Sequence, residues 1–503
     1  MAVVEGNVRI GIGIAAVALA LAAAPASAQV AFPGAEGFGS TTRHAYAGSA
    51  TPDICRVTNT NNSGDGSLRE ALAGTGGGTS EIDCDHDPRI VIFETSGLVT
   101  LTTSIEINDP YVFVAGETAP QPGFAVKGCG IYVSGFSTDT AHDVVIRHVV
   151  VAPGGTCDSN GGLTIQYPDG GANANIVIDH VSIFWSNNES TSAFGNPTFG
   201  NVTYSNSFIT EGLNSAEIGS GGPIAAGTSG ASPITNVSYI RNLFAHMPRR
   251  GCIWQWQQTE AAFINNVCYN AANTDASRAH WFTCSDGTAP PGSQNGPTDG
   301  SVYSIFQGQS YIKGPTDPDG PVAIQWDDNG TCNFSGGTYK IYRDDNVSDP
   351  NGGTAWTMFY NPAGRPDPNV GTPPVELEVS TGVNILDVVT ILSGSATEAY
   401  VLANSGAFPV SRNSHDSRMV TEVGAYTGSI KTSSTFGEGS PGTWPTFTVN
   451  TIDHSSGTHP RPASPHTVST GGYTNLELWV ASYGCEVENG SDCWGESDRV
   501  RLR

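Results

Sequence analysis

Two arginines and two tryptophans lie close together near the middle of the chain. Arg249 and Arg250 are adjacent. They could bind an anionic sugar through paired hydrogen bonds to a carboxylate, or form a structural ion pair. Trp254 and Trp256 follow with one residue between them, so on a strand their side chains would face the same side. They would either stack on sugar rings or pack beneath a loop.

Other polar residues have a simpler structural interpretation beside the chemical one. Asp179 and His180 lie at the end of an apolar run. A buried, hydrogen-bonded pair is the simpler interpretation, and direct catalysis is the other. A glycoside hydrolase needs two carboxylates at a defined separation, and the repeated apolar segments contain no such cluster. Two pairs of adjacent aspartates could bind structural calcium or belong to the solvated surface: Asp327–Asp328 and Asp344–Asp345.

These residues must be positioned by a repeated strand. Five short segments alternate apolar and polar residues and end in a polar pair, often with His or Asn. Variable spacing around a fixed strand motif indicates one structural turn per repeat, with loops of different length on one side. The segments begin at Asp143, Asn175, Asn201, Asn236 and Ala261.

A parallel β-helix accounts best for this pattern. Inward Val and Ile side chains would fill its core, and asparagines at the corners could bond neighbouring turns through both amide groups. A β-sandwich is the competing all-β fold, but it predicts tight Asn-Gly or Asp-Gly hairpins, and few occur here. Amphipathic helical periods are almost absent beyond the first 28 residues.

The first 28 residues have the pattern of an export signal. Arg9 precedes an uncharged stretch, and Ala-Ser-Ala at 26–28 is a small-residue cleavage site. We therefore expect a secreted chain that begins near Gln29. The ten cysteines suit that oxidising destination. The local disulfide candidates are Cys485 with Cys493, Cys55 with Cys84, and Cys129 with Cys157, whereas Cys252, Cys268, Cys284 and Cys332 could pair in more than one way.

Composition excludes several classes of protein. The formal net charge of -25 disfavours binding to nucleic acid or to anionic membranes. With 38% hydrophobic residues, the chain can bury a large core, so disorder is not expected. We expect one β-helix domain over residues 29–425 and a Ser/Thr/Gly-rich segment over 426–503 that packs on it or trails from it. We also expect a monomer.

The sequence resembles the pectate lyase-like proteins of polysaccharide lyase family 1. Matching motifs occur in order across nearly the whole chain after residue 28, with Trp185 following one of them. The family fold is a right-handed parallel β-helix, in agreement with the repeats. The motifs are AFPGAEGFG (31–39), VTNTNNSGDGSLREA (57–71), VAGETAP (114–120), IDHVS (178–182), NLFAHMPRR (242–250), NNVCYN (265–270), YIKGPT (311–316), VLANSGA (401–407) and YTNLE (473–477).

This resemblance implies cleavage of pectate or a related polyuronate by β-elimination. The proton on carbon-5 of a uronate is weakly acidic, so a divalent cation must neutralise the adjacent carboxylate. Calcium suits carboxylate and amide oxygens on irregular loops. By its place after Asn-Leu-Phe-Ala-His, Arg249 matches the family's arginine base, and Arg250 is its substitute or a clamp on substrate. Because an arginine pKa is normally about 12.5 or above, nearby cations and desolvation must favour the neutral form.

The implied calcium ligands depart from the family pattern. Asp158 and Glu189 retain carboxylates, whereas Asn160 and Asn188 offer neutral oxygens, which weakens calcium binding. The stretch after Glu211, where the resemblance leads us to look for a basic substrate-binding residue, contains no lysine through residue 231.

The sequence thus predicts a secreted, calcium-dependent polysaccharide lyase with Arg249 as base. Arg250, Trp254, Trp256 and His180 are its predicted substrate contacts. Two alternatives stay open: a noncatalytic carbohydrate-binding β-helix that lost part of the metal site, and a glycoside hydrolase on the same fold.

Overall fold

Three long parallel β-sheets wind along one axis, and after the first strand the chain passes through them in the same order in each circuit. We call them sheets I, II and III. They form a parallel β-helix, as the repeats predicted, and it is right-handed, as the resemblance implied. The computed structural model describes residues 29–73, 80–84, 87–134, 141–154, 157, 161–166, 174–186, 189–194, 199–214, 224–225, 234–248, 251–256, 259–271, 278–283, 302–326, 338–360, 367–380, 382–432, 443–457 and 459–490.

The strand bounds follow the circuit. Sheet I contains β1 (Asp53–Val57), β2 (Arg89–Phe93), β5 (Val112–Ala115), β8 (Val144–Arg147), β11 (Ile176–Asp179), β14 (Phe199–Ser205), β18 (Ile234–Ile240), β21 (Thr259–Ile264), β24 (Val302–Gln307) and β27 (Tyr339–Asp344). Sheet II contains β3 (Gly97–Thr100), β6 (Phe124–Lys127), β9 (Val149–Ala152), β12 (Ser182–Phe184), β15 (Phe208–Thr210), β19 (Leu243–Ala245), β22 (Val267–Tyr269), β25 (Ser310–Ile312) and β28 (Val347–Asp349). Sheet III contains β4 (Ile105–Ile107), β7 (Ile131–Ser134), β10 (Leu163–Gln166), β13 (Ser192–Phe194), β17 (Ile224–Ala225), β20 (Ile253–Trp256), β23 (Arg278–Thr283), β26 (Val322–Trp326) and β29 (Thr357–Tyr360).

Two short pairs lie outside the three sheets. A parallel pair joins β16 (Leu213–Asn214) to β32 (Lys431–Thr432), and an antiparallel pair joins β30 (Glu378–Ser380) to β31 (Val383–Asn384).

The five sequence repeats are successive strands of sheet I: β8, β11, β14, β18 and β21. Val144, Ile176, Val202 and Val237 are register partners, as the alignment of the repeats predicted. The fifth repeat is displaced by one residue, because Ala261 pairs with Val237 and not with Asn236. A register irregularity between residues 234 and 237 absorbs the difference.

Alternate side chains of sheet I fill the interior. Tyr204, Tyr239, Phe263 and Phe306 stack in successive circuits, with ring centroids 5.1, 5.7 and 4.8 Å apart. They are all completely buried. Such side chains each bury a large apolar area, so the stack holds successive circuits in register.

An asparagine ladder forms the corner before sheet I, as the sequence indicated. Asn175 Nδ2 donates to Asp143 Oδ1 at 3.3 Å, Asn201 Nδ2 to Asn175 Oδ1 at 3.1 Å, and Asn236 Nδ2 to Asn201 Oδ1 at 3.4 Å. All four residues have positive φ, between 51° and 58°. Asn and Asp tolerate this left-handed conformation better than most residues, so one residue type satisfies both the turn and the bonds between circuits.

Five helices occur in the described part of the chain, and the sequence patterns did not indicate the three longest. They are α1 (Ala45–Gly48), α2 (Leu68–Ala73), α3 (Gly394–Asn404), α4 (Ser414–Ala425) and α5 (Asn475–Asn489). The described helices include none with the length and apolar character of a membrane span.

Helix α5 covers apolar residues on the outer face of sheet I. Leu476, Trp479 and Val480 pack with a cluster that includes Phe113 and Val177. A capping box begins the helix: Thr474 Oγ1 accepts from the Glu477 N–H, and Glu477 Oε2 accepts from the Thr474 N–H at 2.6 Å.

Three disulfides lie within the described residues. Cys55 bonds to Cys84 and Cys129 to Cys157, as the sequence predicted, with Cα atoms 5.5 and 5.3 Å apart. Of the four cysteines whose pairing the sequence left open, Cys252 bonds to Cys268. Cys485 is also disulfide-bonded, whereas its predicted partner Cys493, together with Cys284 and Cys332, lies outside the described residues.

Candidate active site

The predicted catalytic and metal-binding residues fall in the sequence between strands of sheet II and the strands of sheet III that follow them. Asp158 and Asn160 precede β10, Asn188 and Glu189 precede β13, and the two arginines at 249 and 250 precede β20. Strands β10, β13, β17 and β20 are consecutive neighbours in sheet III. Since parallel strands lie about 4.8 Å apart, β10 and β20 are separated by about 14 Å. The fold therefore brings strands that flank all three groups to one edge of the solenoid.

Of these predicted residues, Glu189 is described, and Asp158, Asn160, Asn188, Arg249 and Arg250 lie outside the described residues. The backbones of Trp254 and Trp256 lie on β20, as the sequence predicted for a strand. Trp254 is in register with Ile224 of β17 and with Trp281 of β23. Both tryptophans therefore lie on sheet III, the sheet that follows the turns with the predicted site residues.

The backbone around Glu189 is fixed to the preceding circuit. Its carbonyl oxygen accepts a hydrogen bond from the Gly162 N–H at 2.9 Å. Tyr132 lies close by, and its hydroxyl accepts from the Gly161 N–H at 3.1 Å. Burial raises the pKa of Tyr132, and the negative charge of Glu189 adds to that rise. The Glu189 backbone thus lies beside Gly162, in the turn before β13 where a metal ligand is predicted.

Glycine is required where these circuits meet. A Cβ atom on Gly162 would lie 2.4 Å from Ile183 Cγ2 and 2.5 Å from the Ser190 carbonyl oxygen. A Cβ atom on Gly161 would lie 2.8 Å from Thr164 Cγ2. Real Cβ atoms do not approach so closely, so any side chain here would push the Glu189 turn away from β10.

The donors described here fit calcium. Glu189 offers a carboxylate, and the buried hydroxyls Thr164 Oγ1 and Ser192 Oγ have no hydrogen-bond partner. A hard cation takes oxygen ligands of these kinds. Thiolate or imidazole ligands, which would indicate a transition metal, do not occur among these three.

A column of polar residues supports the turns that follow sheet II. Trp185, Glu211, His246 and Asn270 occupy equivalent positions with φ between 46° and 60°. Trp185 Nε1 donates to Glu211 Oε2 at 2.9 Å, and Asn270 Nδ2 lies 2.8 Å from His246 Nδ1. The Thr316 hydroxyl donates to Asn270 Oδ1 at 2.6 Å. Side-chain contacts within these two pairs thus link neighbouring turns beside the candidate site.

Helix α4 packs its charged residues against this column. Arg418 donates to both oxygens of Glu211, at 2.8 and 2.6 Å, and His415 Nε2 lies 3.2 Å from Glu211 Oε2. Glu422 lies 3.0 Å from both Arg418 Nη1 and His246 Nε2. Burial alone would raise the pKa of Glu211, but the hydrogen bonds from His415 and Arg418 hold it well below its usual range. Sequence patterns did not reveal this network, because its partners are remote in the chain.

A lysine reaches the circuit in which the sequence offered none. Lys431 is the register partner of Leu213, at the start of the Gly/Ser-rich stretch between β15 and β17. Its Nζ lies 3.9 Å from Glu211 Oε1 and 3.3 Å from Ser429 Oγ, and its side chain is 19% exposed. This circuit lies between the one that carries Glu189 and the one that precedes β20.

His180, a predicted substrate contact, lies in a buried ion network at the turn between sheets I and II. Its Nδ1 is 2.8 Å from Asp179 Oδ2 and 3.8 Å from Glu488 Oε1 of α5. Arg147 Nη1 donates to Glu117 Oε1 at 2.6 Å, and Arg147 Nη2 donates to Glu488 Oε1 at 2.7 Å. Sheet II separates this turn from the turns that precede sheet III. These contacts favour the structural interpretation of His180 over a role in binding substrate.

The histidine and carboxylate side chains at this turn are also of the kinds that bind metal ions. The ligand atoms of His148, His180 and Glu488 lie within 4.8 Å of one another. However, Arg147 donates to the Glu488 oxygen nearest both rings, and a guanidinium in that position repels a cation.

Two aspartate pairs were possible structural calcium sites. Asp327–Asp328 lies outside the described residues, whereas Asp345 Oδ2 accepts from the Gly394 N–H and thereby caps α3.

Comparison with known proteins finds relatives named probable pectate lyase C. Probable pectate lyase C of Aspergillus flavus is 29% identical over 467 residues, which cover 91% of this chain and 94% of the relative. The protein of the same name from Neosartorya fischeri is 28% identical over 476 residues, with the same shares covered. No family model matches the chain. The resemblance to pectate lyase-like proteins that the motifs indicated is thus confirmed.

Solved structures similar to this chain include two bacterial pectate lyases. One, from Bacillus sp. N165 in complex with trigalacturonate, is 13% identical, with 74% of this chain and 98% of that chain covered and a TM-score of 0.40. The other, a mutant pectate lyase of Bacillus subtilis, is 12% identical, with 77% and 100% covered and a TM-score of 0.43.

Proposed function

We propose that this chain, a relative of pectate lyases, is a secreted polysaccharide lyase that cleaves pectate or a related polyuronate by calcium-assisted β-elimination. The observation that carries the proposal is similarity over 91% of the chain to proteins named pectate lyase. The convergence of strands that flank the predicted site residues at one edge of sheet III supports it. Reduced carboxylate content at Asn160 and Asn188 is compatible with a weaker metal site.

The catalytic roles are assigned by position in the sequence and by chemistry. Asp158, Asn160, Asn188 and Glu189 hold calcium, which when bound offsets the charge of the uronate carboxylate and so acidifies the carbon-5 proton. Arg249 takes that proton. The electron pair forms a double bond between carbon-4 and carbon-5, and the bond from carbon-4 to the glycosidic oxygen breaks. That oxygen takes a proton from water, and Arg249 returns to solvent the proton that it removed.

The remaining residues bind and orient the polymer. Arg250 and Lys431 bind uronate carboxylates, the arginine through paired hydrogen bonds and the lysine as a point charge. Trp254 and Trp256 stack on sugar rings. Two observations support the role of Lys431. It lies on β32 beside Leu213, and its Nζ is 3.9 Å from Glu211 Oε1, a long contact that substrate can replace.

Unsaturated product gives the direct test. Incubation of the chain with polygalacturonate and calcium should raise ultraviolet absorbance, and a chelator or Arg249→Ala should abolish the rise. Arg343→Ala is the matched control, because Arg343 pairs with exposed Asp367 on the last circuit and should retain activity. New reducing ends without that absorbance would mean hydrolysis. Binding without either signal would mean a noncatalytic carbohydrate-binding protein, and either outcome would overturn the proposal.

A further inference from the structure

Two hydroxyl side chains on adjacent strands of sheet III are buried without a hydrogen-bond partner. Thr164 on β10 is 0% exposed and Ser192 on β13 is 1% exposed. Neither Thr164 Oγ1 nor Ser192 Oγ makes a hydrogen bond in the structure. Buried hydroxyls are nearly always paired, so each such atom calls for an explanation.

The two hydroxyls lie side by side on the outer face of the sheet. Leu163, Ile165 and Ala193 belong to the interior cluster of the solenoid. Since strand side chains alternate between faces, Thr164 and Ser192 point outward. Ile165 pairs with Ala193 in register, so Thr164 lies opposite Ser192 at the spacing of neighbouring strands, about 4.8 Å.

Their surroundings are those of the candidate metal site. Ser192 follows Glu189 by three residues, and the Glu189 carbonyl oxygen accepts a hydrogen bond from the N–H of Gly162, two residues before Thr164. A hydroxyl without a partner is not by itself a ligand: Thr210 Oγ1 on sheet II is equally buried and unpaired. Location beside Glu189 separates Thr164 and Ser192 from Thr210. Ser186 and Thr191 also flank Glu189 and have buried, unpaired hydroxyls, but neither lies on a strand of sheet III.

We propose that Thr164 Oγ1 and Ser192 Oγ are ligands of the calcium ion that the proposed lyase reaction uses. A hydroxyl oxygen has lone pairs that can bind a hard cation. The two hydroxyls supply neutral oxygen ligands to a site that Asn160 and Asn188 leave short of carboxylates. This inference rests on the proposed function for the identity of the ion. A site with so few charged ligands should bind calcium with a dissociation constant on the order of 10⁻⁴ to 10⁻³ M.

Calcium binding without substrate provides the test. Calcium chloride is titrated into the chain by calorimetry, and thermal unfolding is recorded with and without the ion. Thr164→Val and Ser192→Ala should each raise the dissociation constant about tenfold or more, as loss of a metal contact does. Thr210→Val, the matched loss of a buried unpaired hydroxyl, should bind calcium as the wild type does.

The unfolding temperatures separate a ligand from a simple packing defect. Thr164→Val removes an unpaired polar group, so the calcium-free variant should unfold at the wild-type temperature or above it. Its rise in unfolding temperature on adding calcium should be smaller than that of the wild type. If Thr164→Val raised the unfolding temperature equally with and without calcium, and left the dissociation constant for calcium unchanged, the inference would be overturned.

The outcome is distinct from that of the proposed function. If both variants lose calcium affinity but the wild-type chain cleaves no polyuronate, the assignment of the metal ligands stands and the lyase proposal is rejected. Calcium-dependent cleavage with unchanged affinity in both variants would retain the lyase and reject the ligands. A wild-type chain that binds no calcium up to about 10 mM, tenfold above the weak limit expected for such sites, would also reject the ligands.

Discussion

Leu213 and Lys431 are register partners in a parallel pair of two-residue strands, although half of the described solenoid lies between them in sequence. Leu213 is completely buried, whereas the Lys431 side chain is 19% exposed. This pairing delivers a positive charge to the circuit between Glu189 and β20. A net charge of -25 makes such a local cation valuable to a protein that binds a polyanion.

Replacement of Lys431 should weaken substrate binding more than it slows the chemical step. Lys431→Ala is expected to raise KM for polygalacturonate about tenfold with a smaller change in kcat, because an interaction present in ground and transition states is lost. Steady-state kinetics measure this split. Lys340→Ala is the control, since Lys340 of β27, on sheet I, binds Glu376. Equal kinetics for the two variants would remove Lys431 from the site.

The close approach at Gly162 should be sensitive to a single methyl group. Gly162→Ala places a carbon 2.5 Å from the Ser190 carbonyl oxygen, so we expect a loss of about 1–3 kcal/mol in the free energy of unfolding and weaker calcium binding. Gly424→Ala meets no atom within 4 Å. In helix α4 it should stabilise the chain by up to about 1 kcal/mol. Chemical denaturation and calcium titration measure both effects, and a neutral Gly162→Ala would contradict the geometry.

The asparagine ladder should contribute through two separable effects. Asn201→Ala removes amide hydrogen bonds to Asn175 and Asn236 and leaves a β-carbon at φ 58°. We expect a loss of about 1–3 kcal/mol in the free energy of unfolding. Asn201→Gly removes the same bonds but fits the positive φ, so it should be less destabilising. Identical losses in the two variants would mean that backbone strain contributes nothing at this corner.

Salt should assist binding of an anionic polymer at fixed calcium. Raising ionic strength from about 0.01 M to about 0.15 M shortens the Debye length from about 30 Å to about 8 Å. Long-range repulsion by the net charge of -25 is then screened, whereas close contacts with bound cations are affected less. KM for polygalacturonate should fall over this range in an inert monovalent salt. A rise in KM would mean that attraction by local cations dominates even at long range.

Sequence patterns predicted the parts of the fold that repeat. Alternation of apolar residues located five strands of sheet I, and local separation identified the pairs Cys55–Cys84 and Cys129–Cys157. The fifth repeat was misplaced by one residue because its start lacks the Asp or Asn of the other four, whereas its end, where Ile264 pairs with Ile240, is in the repeated register. Local spacing constrains neighbouring circuits, since each strand pairs with the next one along the chain.

Contacts between remote segments could not be predicted in this way. Arg418 of α4 binds Glu211, and Glu488 of α5 binds Arg147, yet nothing in either segment specifies its partner. The buried hydroxyls at Thr164 and Ser192 resemble ordinary strand residues until the register of sheet III places them beside Glu189. Charge and burial at these positions are properties of the folded chain.

The network around His180 should make stability depend on pH in a defined direction. Burial would lower the pKa of His180, but Asp179 and Glu488 overcome that effect and raise it. Folding therefore favours the protonated ring. Its stabilisation is complete below the unfolded value of about 6.5 and is lost as pH rises through the raised pKa of the folded chain.

A difference profile isolates this contribution from other histidines. Burial lowers the pKa of His280 to about 3, so that residue acts oppositely: its contribution is present above about pH 6.5 and is lost as pH falls. Subtracting the profile of His180→Gln from that of the wild type removes the His280 contribution, since both chains retain it. The difference in the free energy of unfolding should decrease as pH rises above about 6.5. A flat difference would mean that folding does not raise the pKa of His180.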